Sequence, residues 1–269
     1  SGSTENLTNL VRLLVNRYAA GPRRALRDGV EAAAPREYPD IGLYHPAIPG
    51  RITEDPSALP APAERRGTVG LVLMRSYILS QDTGHYDAVI DALEARGLRV
   101  IPVFASGLDA RPAIDRYFDV GGGVAIDALV SLTGFSLVGG PAFNDAKAAE
   151  ETLARLDVPY LAVQPLEFQS IEGWQASSQG LTPVEATIML AVPELEGATG
   201  SLVFGGRSAG QTAMQGIGER VQMLARRVDK LIRLRRTPRH DKKIAVVLFN
   251  FPPNGGATGT AAYLSVYES

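Results

Sequence analysis

The sequence predicts an α/β protein: a parallel-sheet, Rossmann/flavodoxin-like domain with flanking helices, followed by the start of a second α/β unit. Three observations carry that expectation. Between Thr68 and Phe204, short apolar runs alternate with segments of helical periodicity. The runs are apolar at successive positions, as in strands covered on both faces. A second buried run, Ile244 to Phe249, follows a long amphipathic helix and opens the same pattern again.

The elements follow in order. Leu7, Leu10, Val11, Leu14 and Tyr18 recur at helical spacing, with Gly21-Pro22 as the stop, so residues 1–34 read as an N-terminal helical segment. Residues 35–67 hold Pro39, Pro46, Pro49, Pro56, Pro60 and Pro62 and read as a linker on the surface, with a short strand at Ile41 to Tyr44. The α/β domain spans 68–207. Its strands are Val69–Met74, Arg99–Phe104, Ala128–Leu132 and Pro159–Val163, with Ser201–Phe204 as a fifth. Its helices run from about Thr83 to Arg96, from an Asp109 cap to Phe118, and from an Asn144 cap to about Leu156. Thr182-Pro183-Val184-Glu185 forms a capping box, and Pro193 is expected to follow that helix. Residues 208–240 hold one long helix with the stripe Ile217, Val221, Leu224, Val228 and Leu231, and 241–269 begin the second unit.

Composition narrows the chemistry. Of 269 residues, 45% are hydrophobic and 21% charged, an ordinary globular balance. Lys+Arg 27 against Asp+Glu 29, a net charge of -2, argues against a nucleic-acid binder. The absence of cysteine excludes disulfides, thiolate zinc sites and cysteine nucleophiles. The three histidines, His45, His85 and His240, form no zinc motif by spacing. No apolar run is long enough to span a membrane and no secretory leader is visible, so the expected compartment is the cytoplasm. The Ser1-Gly2-Ser3 start and the stop at Ser269 lead to the expectation of a piece of a longer protein.

Several places can carry chemistry. Gly134 to Pro141 follows the third strand and reads either as a glycine-dependent crossover or as a ligand-facing loop. Arg75-Ser76-Tyr77 and Thr83-Gly84-His85-Tyr86 follow the first strand, where His85 either moves a proton or packs. Glu194 and Glu196 lie in a turn beyond a helix, with Glu167 in the preceding loop; carboxylates suit a hard cation or a proton. His45 reads equally as a structural residue, and His240 as solvated. Arg220, Arg226, Arg227, Arg233, Arg235 and Arg236 make a basic face on the long helix, either solvated or a dock for an acidic partner. Asn250-Phe251-Pro252-Pro253-Asn254-Gly255-Gly256 ends the last strand in a loop of the kind that binds ligands.

These segments together resemble the large porphyrin-binding subunit of magnesium chelatase, in its bacteriochlorophyll-pathway form. The resemblance rests on Arg75-Ser76-Tyr77 with Gly84-His85-Tyr86-Asp87, on Ala128 to Pro141, and on Pro159 to Gln169. It rests equally on Pro193-Glu194-Leu195-Glu196-Gly197 with Val203-Phe204-Gly205-Gly206-Arg207, and on Lys243 to Leu264. The large subunit of aerobic cobaltochelatase shares the layout. Plant and cyanobacterial relatives tend to carry lysine where Gly255 or Gly256 stands, so that contact is not carried over. The 208–218 connection is the least family-like part.

The resemblance implies insertion of Mg²⁺ into protoporphyrin IX, with ATP hydrolysed on an AAA+ ATPase subunit assisted by an integrin-like-domain partner. It implies Glu194 and Glu196 as metal-delivering or proton-accepting groups and His85 as proton shuttle. Arg75 and Arg207 are implied as partners of the porphyrin propionates, with Asn250 and Asn254 as further porphyrin contacts. A fragment is expected to be inactive alone, and the whole protein to be cytoplasmic or peripheral to the photosynthetic membrane. Two other readings stay open: a non-catalytic module docking the ATPase subunits, and the equivalent part of a cobaltochelatase.

Overall fold

A computed structural model describes residues 2–29, 31–140 and 142–245. Helix α1 (Thr4–Tyr18) starts where Ser3 accepts the amide of Asn6. Its stripe is helical as expected but uncovered: Leu7, Leu10, Val11, Leu14 and Tyr18 are 46% to 65% exposed. The proline-rich stretch is more than a surface linker. Strands β1 (Ile41–Tyr44) and β2 (Ile52–Thr53) lie in it, and Leu43 and Tyr44 are fully buried.

Alternating units follow: β3 (Gly67–Met74), α2 (Arg75–Ser80), α3 (Gly84–Glu94), β4 (Leu98–Ala105) and α4 (Arg111–Tyr117). A small hairpin, β5 (Asp119–Val120) with β6 (Gly123–Val124), leads to β7 (Ala128–Ser131). Strands β8 (Gly139–Gly140) and β9 (Phe143–Asn144) pair before α5 (Ala146–Leu156), β10 (Tyr160–Ala162) and β11 (Gln164–Pro165). Helix α6 (Ile171–Ala176) precedes a helical arm of α7 (Pro183–Glu185), a π-helical stretch (Ala186–Ala191) and α8 (Val192–Leu195). Strands β12 (Val203–Arg207) and β13 (Met214–Gly216) then lead into α9 (Gly218–Arg236).

The main sheet has six strands in the order β10-β7-β3-β4-β1-β2. β3 pairs in parallel with β4 and β7, and β10 with β7, whereas β1 and β2 join antiparallel beyond β4. The four parallel strands thus have the flavodoxin-like order. Successive residues of β3 feed opposite layers. Leu71 and Leu73 join Tyr86, Ile90, Leu224 and Val228 under α3 and α9. Val72 joins Ile114, Phe118 and Leu156 under α4 and α5.

Several local expectations shift. The fifth strand leaves the main sheet: Val163 still donates to Ser131 O at 2.9 Å, but the next amide, of Gln164, reaches Leu202 O at 3.0 Å. β11 therefore pairs with β12, and β12 with β13, in a separate three-stranded sheet. Pro165 lacks an N–H, and the register shifts between it and Gln164. Asp145, not Asn144, caps α5 by accepting from Ala148. Ala110 precedes α4, with Asp109 accepting the Arg111 amide at 2.9 Å. Pro193 lies inside the helical arm, because the π turn before it, closed by Val192 N–H to Thr187 O, makes room for a residue that cannot donate.

Ser1–Arg235 group as one compact unit and Arg236–Ser269 as another. In the second, Arg239–Asp241 form a 3-10 turn and exposed His240 sits 3.4 Å from Asp241. Most of the predicted second α/β unit, with Asn250 and Asn254, lies outside the described residues.

Candidate functional site

Strands β3, β4 and β7 run in register and end along one edge of the sheet at Met74, Ala105 and Ser131. The connection from β3 to β4 passes through α3 on one face, and that from β4 to β7 through α4 on the other. A crevice opens where such connections diverge. Here a cavity is lined by Met74, Gly107, Leu108, Ser131, Thr133 and Phe135, among others.

The loop after β7 forms one wall. Gly134 and Gly139 have φ of 72° and 116°, and a Cβ on Gly139 would collide with the Phe143 carbonyl. The glycines are thus needed by the backbone, and the loop also lines the cavity. Ala110 N donates to Leu137 O at 3.1 Å and Gly139 N to Leu108 O at 2.8 Å, which ties this wall to the loop after β4.

Glu196 holds the loop from behind. It is 3% exposed, and its carboxylate accepts the Leu137 amide at 3.0 Å and the Ser136 hydroxyl. Glu194 is exposed and accepts the Ser201 hydroxyl at 3.0 Å. The expected carboxylate pair is therefore divided, because residues two apart at a helix end face different ways. Among the described residues, no group of three or more His, Asp or Glu side chains is arranged to hold a metal.

His85, on the first turn of α3, is fully buried among Tyr77, Tyr86 and Phe204, with ring centroids 5.0, 3.8 and 5.7 Å away. Neither ring nitrogen has a hydrogen-bond partner. Burial, and then the nearby Arg207 charge, lower its pKa to about 3. In this arrangement His85 is a neutral imidazole that does not change charge near pH 7, unlike the proton shuttle expected from the sequence.

Arg207 lies beside this aromatic cluster. It donates to Thr212 O at 2.9 Å and sits 3.4 Å from Glu167 and 3.5 Å from Asp82. The Tyr77 hydroxyl donates to Glu167, and burial followed by that carboxylate pushes the phenol's pKa up. Two carboxylates already balance the Arg207 charge. Arg75 is similarly committed, donating to Tyr38 O and Pro39 O at 3.0 Å each. Tyr77 and Glu167 stand out in the sequence as residues that follow strands, but their meeting around Arg207 depends on the β12–β13 sheet and has no signal in spacing. His45 is structural: buried, it pairs with Glu94 at 3.0 Å and accepts the Ala47 amide.

A flavodoxin-like sheet with a crevice at its switch point, walled by a glycine loop, defines an open α/β protein of the doubly wound class. More specifically, the chain belongs to the CobN/magnesium chelatase family, whose model matches residues 1–269. It is 52% identical to the magnesium-chelatase H subunit of Cereibacter sphaeroides, over 100% of this chain and 24% of that protein. It is 50% identical to the H subunit of the Rhodobacter capsulatus enzyme, covering 100% of this chain and 23% of that protein. Against the chloroplastic ChlH subunit of Oryza sativa subsp. indica the identity is 38%, over 100% and 20%. The chain thus spans about a quarter of the bacterial relatives' length. The catalytic subunit of cobaltochelatase from Mycobacterium tuberculosis has the same fold, with a TM-score of 0.63, 23% identity, and coverage of 93% of this chain and 20% of that one. No helix among the described residues is long and apolar enough to cross a membrane.

Proposed function

We propose that this chain is a segment of the large, porphyrin-binding subunit of a magnesium chelatase, which inserts Mg²⁺ into protoporphyrin IX. The observation that carries the reading is the 52% identity to a magnesium-chelatase H subunit over the whole chain. ATP is hydrolysed on a partner AAA+ subunit, assisted by an integrin-like-domain subunit. The assembly works in the cytoplasm, at or near the photosynthetic membrane, in bacteriochlorophyll synthesis. Mg²⁺ and the porphyrin are substrates.

Insertion requires two pyrrole protons to leave and a tightly hydrated cation to shed water. Of the two carboxylates Glu194 and Glu196, Glu194, exposed at the end of the helical arm, is the one available to a cation or proton; Glu196 shapes the cavity wall instead. His85 takes part in proton movement only if the covering β12–β13 sheet shifts and lets water reach its ring. The chain divides into an N-terminal helical segment (1–34), a proline-rich stretch (35–67), an α/β domain (68–207), a connecting helix (208–240) and the start of a second α/β unit (241–269).

The test is an insertion assay on the full-length subunit that contains this segment, with its ATPase partners, comparing Mg²⁺ with Co²⁺. ATP-dependent insertion of Mg²⁺ supports the reading. Insertion of Co²⁺ alone would assign the chain to a cobaltochelatase.

A further inference from the structure

A second cavity, of about 550 Å³, lies between α1, the β1–β2 hairpin and the end of α2. Ile52, Ile78 and Leu79 supply apolar wall, and Arg36, Arg51, Tyr38 and Glu5 also line it. Two arginines beside an apolar strip suit the carboxylates of an organic anion whose body is partly apolar.

The backbone at Arg51 sharpens this. Gly50 and Arg51 have φ of 71° and 61°, and a side chain in the left-handed region costs about 1–2 kcal/mol relative to the ordinary helical conformation. The turn's own bonds, Arg51 N to Ile48 O and His45 N to Arg51 O at 3.0 Å each, use only backbone, so glycine would make them as well. What arginine adds is its guanidinium. That group is half exposed and makes only long contacts, 3.2 Å to Thr83, 3.4 Å to the Tyr44 hydroxyl and 3.5 Å to Asp87. Arg36 is 58% exposed at its side chain and lies 3.4 Å from Glu5. Charge-assisted bonds at full strength are about 2.7–2.9 Å long. Arg36 and Arg51 each face one carboxylate and keep donors for a ligand, whereas Arg207 faces two carboxylates and bonds Thr212 O, and Arg75 bonds two backbone carbonyls.

We propose that this cleft, rather than Arg75 or Arg207, receives the carboxylates of a flat apolar dianion, with Arg36 and Arg51 each pairing one carboxylate and the apolar wall covering part of the ring. The proposal rests on the reading of this chain as part of a porphyrin-binding subunit.

The test uses the full-length subunit and two probes in the same dilute detergent, deuteroporphyrin IX and its dimethyl ester, titrated by Soret absorption. The ester keeps the macrocycle and removes both charges. The wild type is expected to bind the diacid at least about tenfold more tightly than the ester, and Arg36→Ala with Arg51→Gly to lose that preference while binding the ester as before. Arg51→Gly suits the local backbone, so its melting temperature is expected to hold or rise. An unchanged preference in the double variant would overturn the cleft assignment and leave the porphyrin reading standing. A wild type that binds neither probe would overturn both.

Discussion

Glu196 and Leu137 stand 59 residues apart in sequence, yet the buried carboxylate of one accepts the amide of the other at 3.0 Å. The same carboxylate accepts from Ser136, whose hydroxyl in turn accepts the Val138 amide at 3.1 Å. The conformation of the cavity loop is therefore fixed from the end of the helical arm. Glu196→Ala strands the buried Leu137 amide, while the Ser136 hydroxyl can still donate to Val138 O at 3.0 Å, a cost of about 1–3 kcal/mol. Glu196→Gln retains one acceptor and is expected to lose about half as much. Urea unfolding midpoints of the two variants at neutral pH check the order; equal losses would show that the acceptor is not what matters.

His85 makes stability depend on pH. Its pKa is about 3 when folded against 6.5 for the free side chain, so between those values the unfolded chain binds the extra proton. Its neutral burial is thus fully compatible with folding above pH 6.5, and stability falls as pH drops from 6.5 toward 3. The slope contributed by this one group is at most about 1.4 kcal/mol per pH unit. His85→Phe, which keeps a ring among Tyr77, Tyr86 and Phe204, is expected to flatten the decline. Unfolding free energies measured at several pH values from 6.5 down to 4.5, for wild type and variant, would show parallel curves if the imidazole were irrelevant.

The sheet is readable from sequence because its strands are buried on both faces, so Val69 to Met74 or Arg99 to Phe104 stands out as an apolar run whatever packs on it. The site is readable only in part. Gly134 and Gly139 announce a loop, but that Glu196 buttresses it depends on how the helical arm returns to β7. Glu194 and Glu196 look like a pair because they are close in sequence, whereas the helix end turns their side chains apart. His85 gives no sign of burial, since its cover comes from Phe204 and the separate sheet near the far end of the domain. The α1 stripe is legible as a helix face, but exposure is decided by what packs on it.

Gly70 shows how closely α4 packs on the sheet. It lies in the middle of β3, and a Cβ there would sit 2.6 Å from the Phe118 ring, which is fully buried. The φ at this position is ordinary, so the conflict is purely one of volume. Gly70→Ala is expected to destabilise by about 1–3 kcal/mol, as overpacking does. Adding Phe118→Leu should recover part of that loss, because a smaller side chain vacates the contested space. Thermal unfolding of the two single variants and the double checks the coupling, and strictly additive effects would sink the packing account.

Arg207 and Glu167 offer the corresponding test for electrostatics. They are 3.4 Å apart with side chains 33% and 23% exposed, so solvent still screens the pair, and each has another partner, Asp82 for the arginine and Tyr77 for the glutamate. The direct coupling is therefore expected to be modest, about 0.5–1 kcal/mol in a double-mutant cycle of Arg207→Ala and Glu167→Gln. Arg207→Ala alone should cost more than the coupling, because it leaves Glu167 and Asp82 facing each other uncompensated and removes the donor to Thr212 O. Removing the cation also takes away one of the two influences that hold His85 below its usual pKa. An NMR titration of His85 in Arg207→Ala is expected to show a pKa raised only slightly, since burial is the larger cause. A rise to the ordinary histidine value would mean that charge, rather than burial, keeps this imidazole neutral.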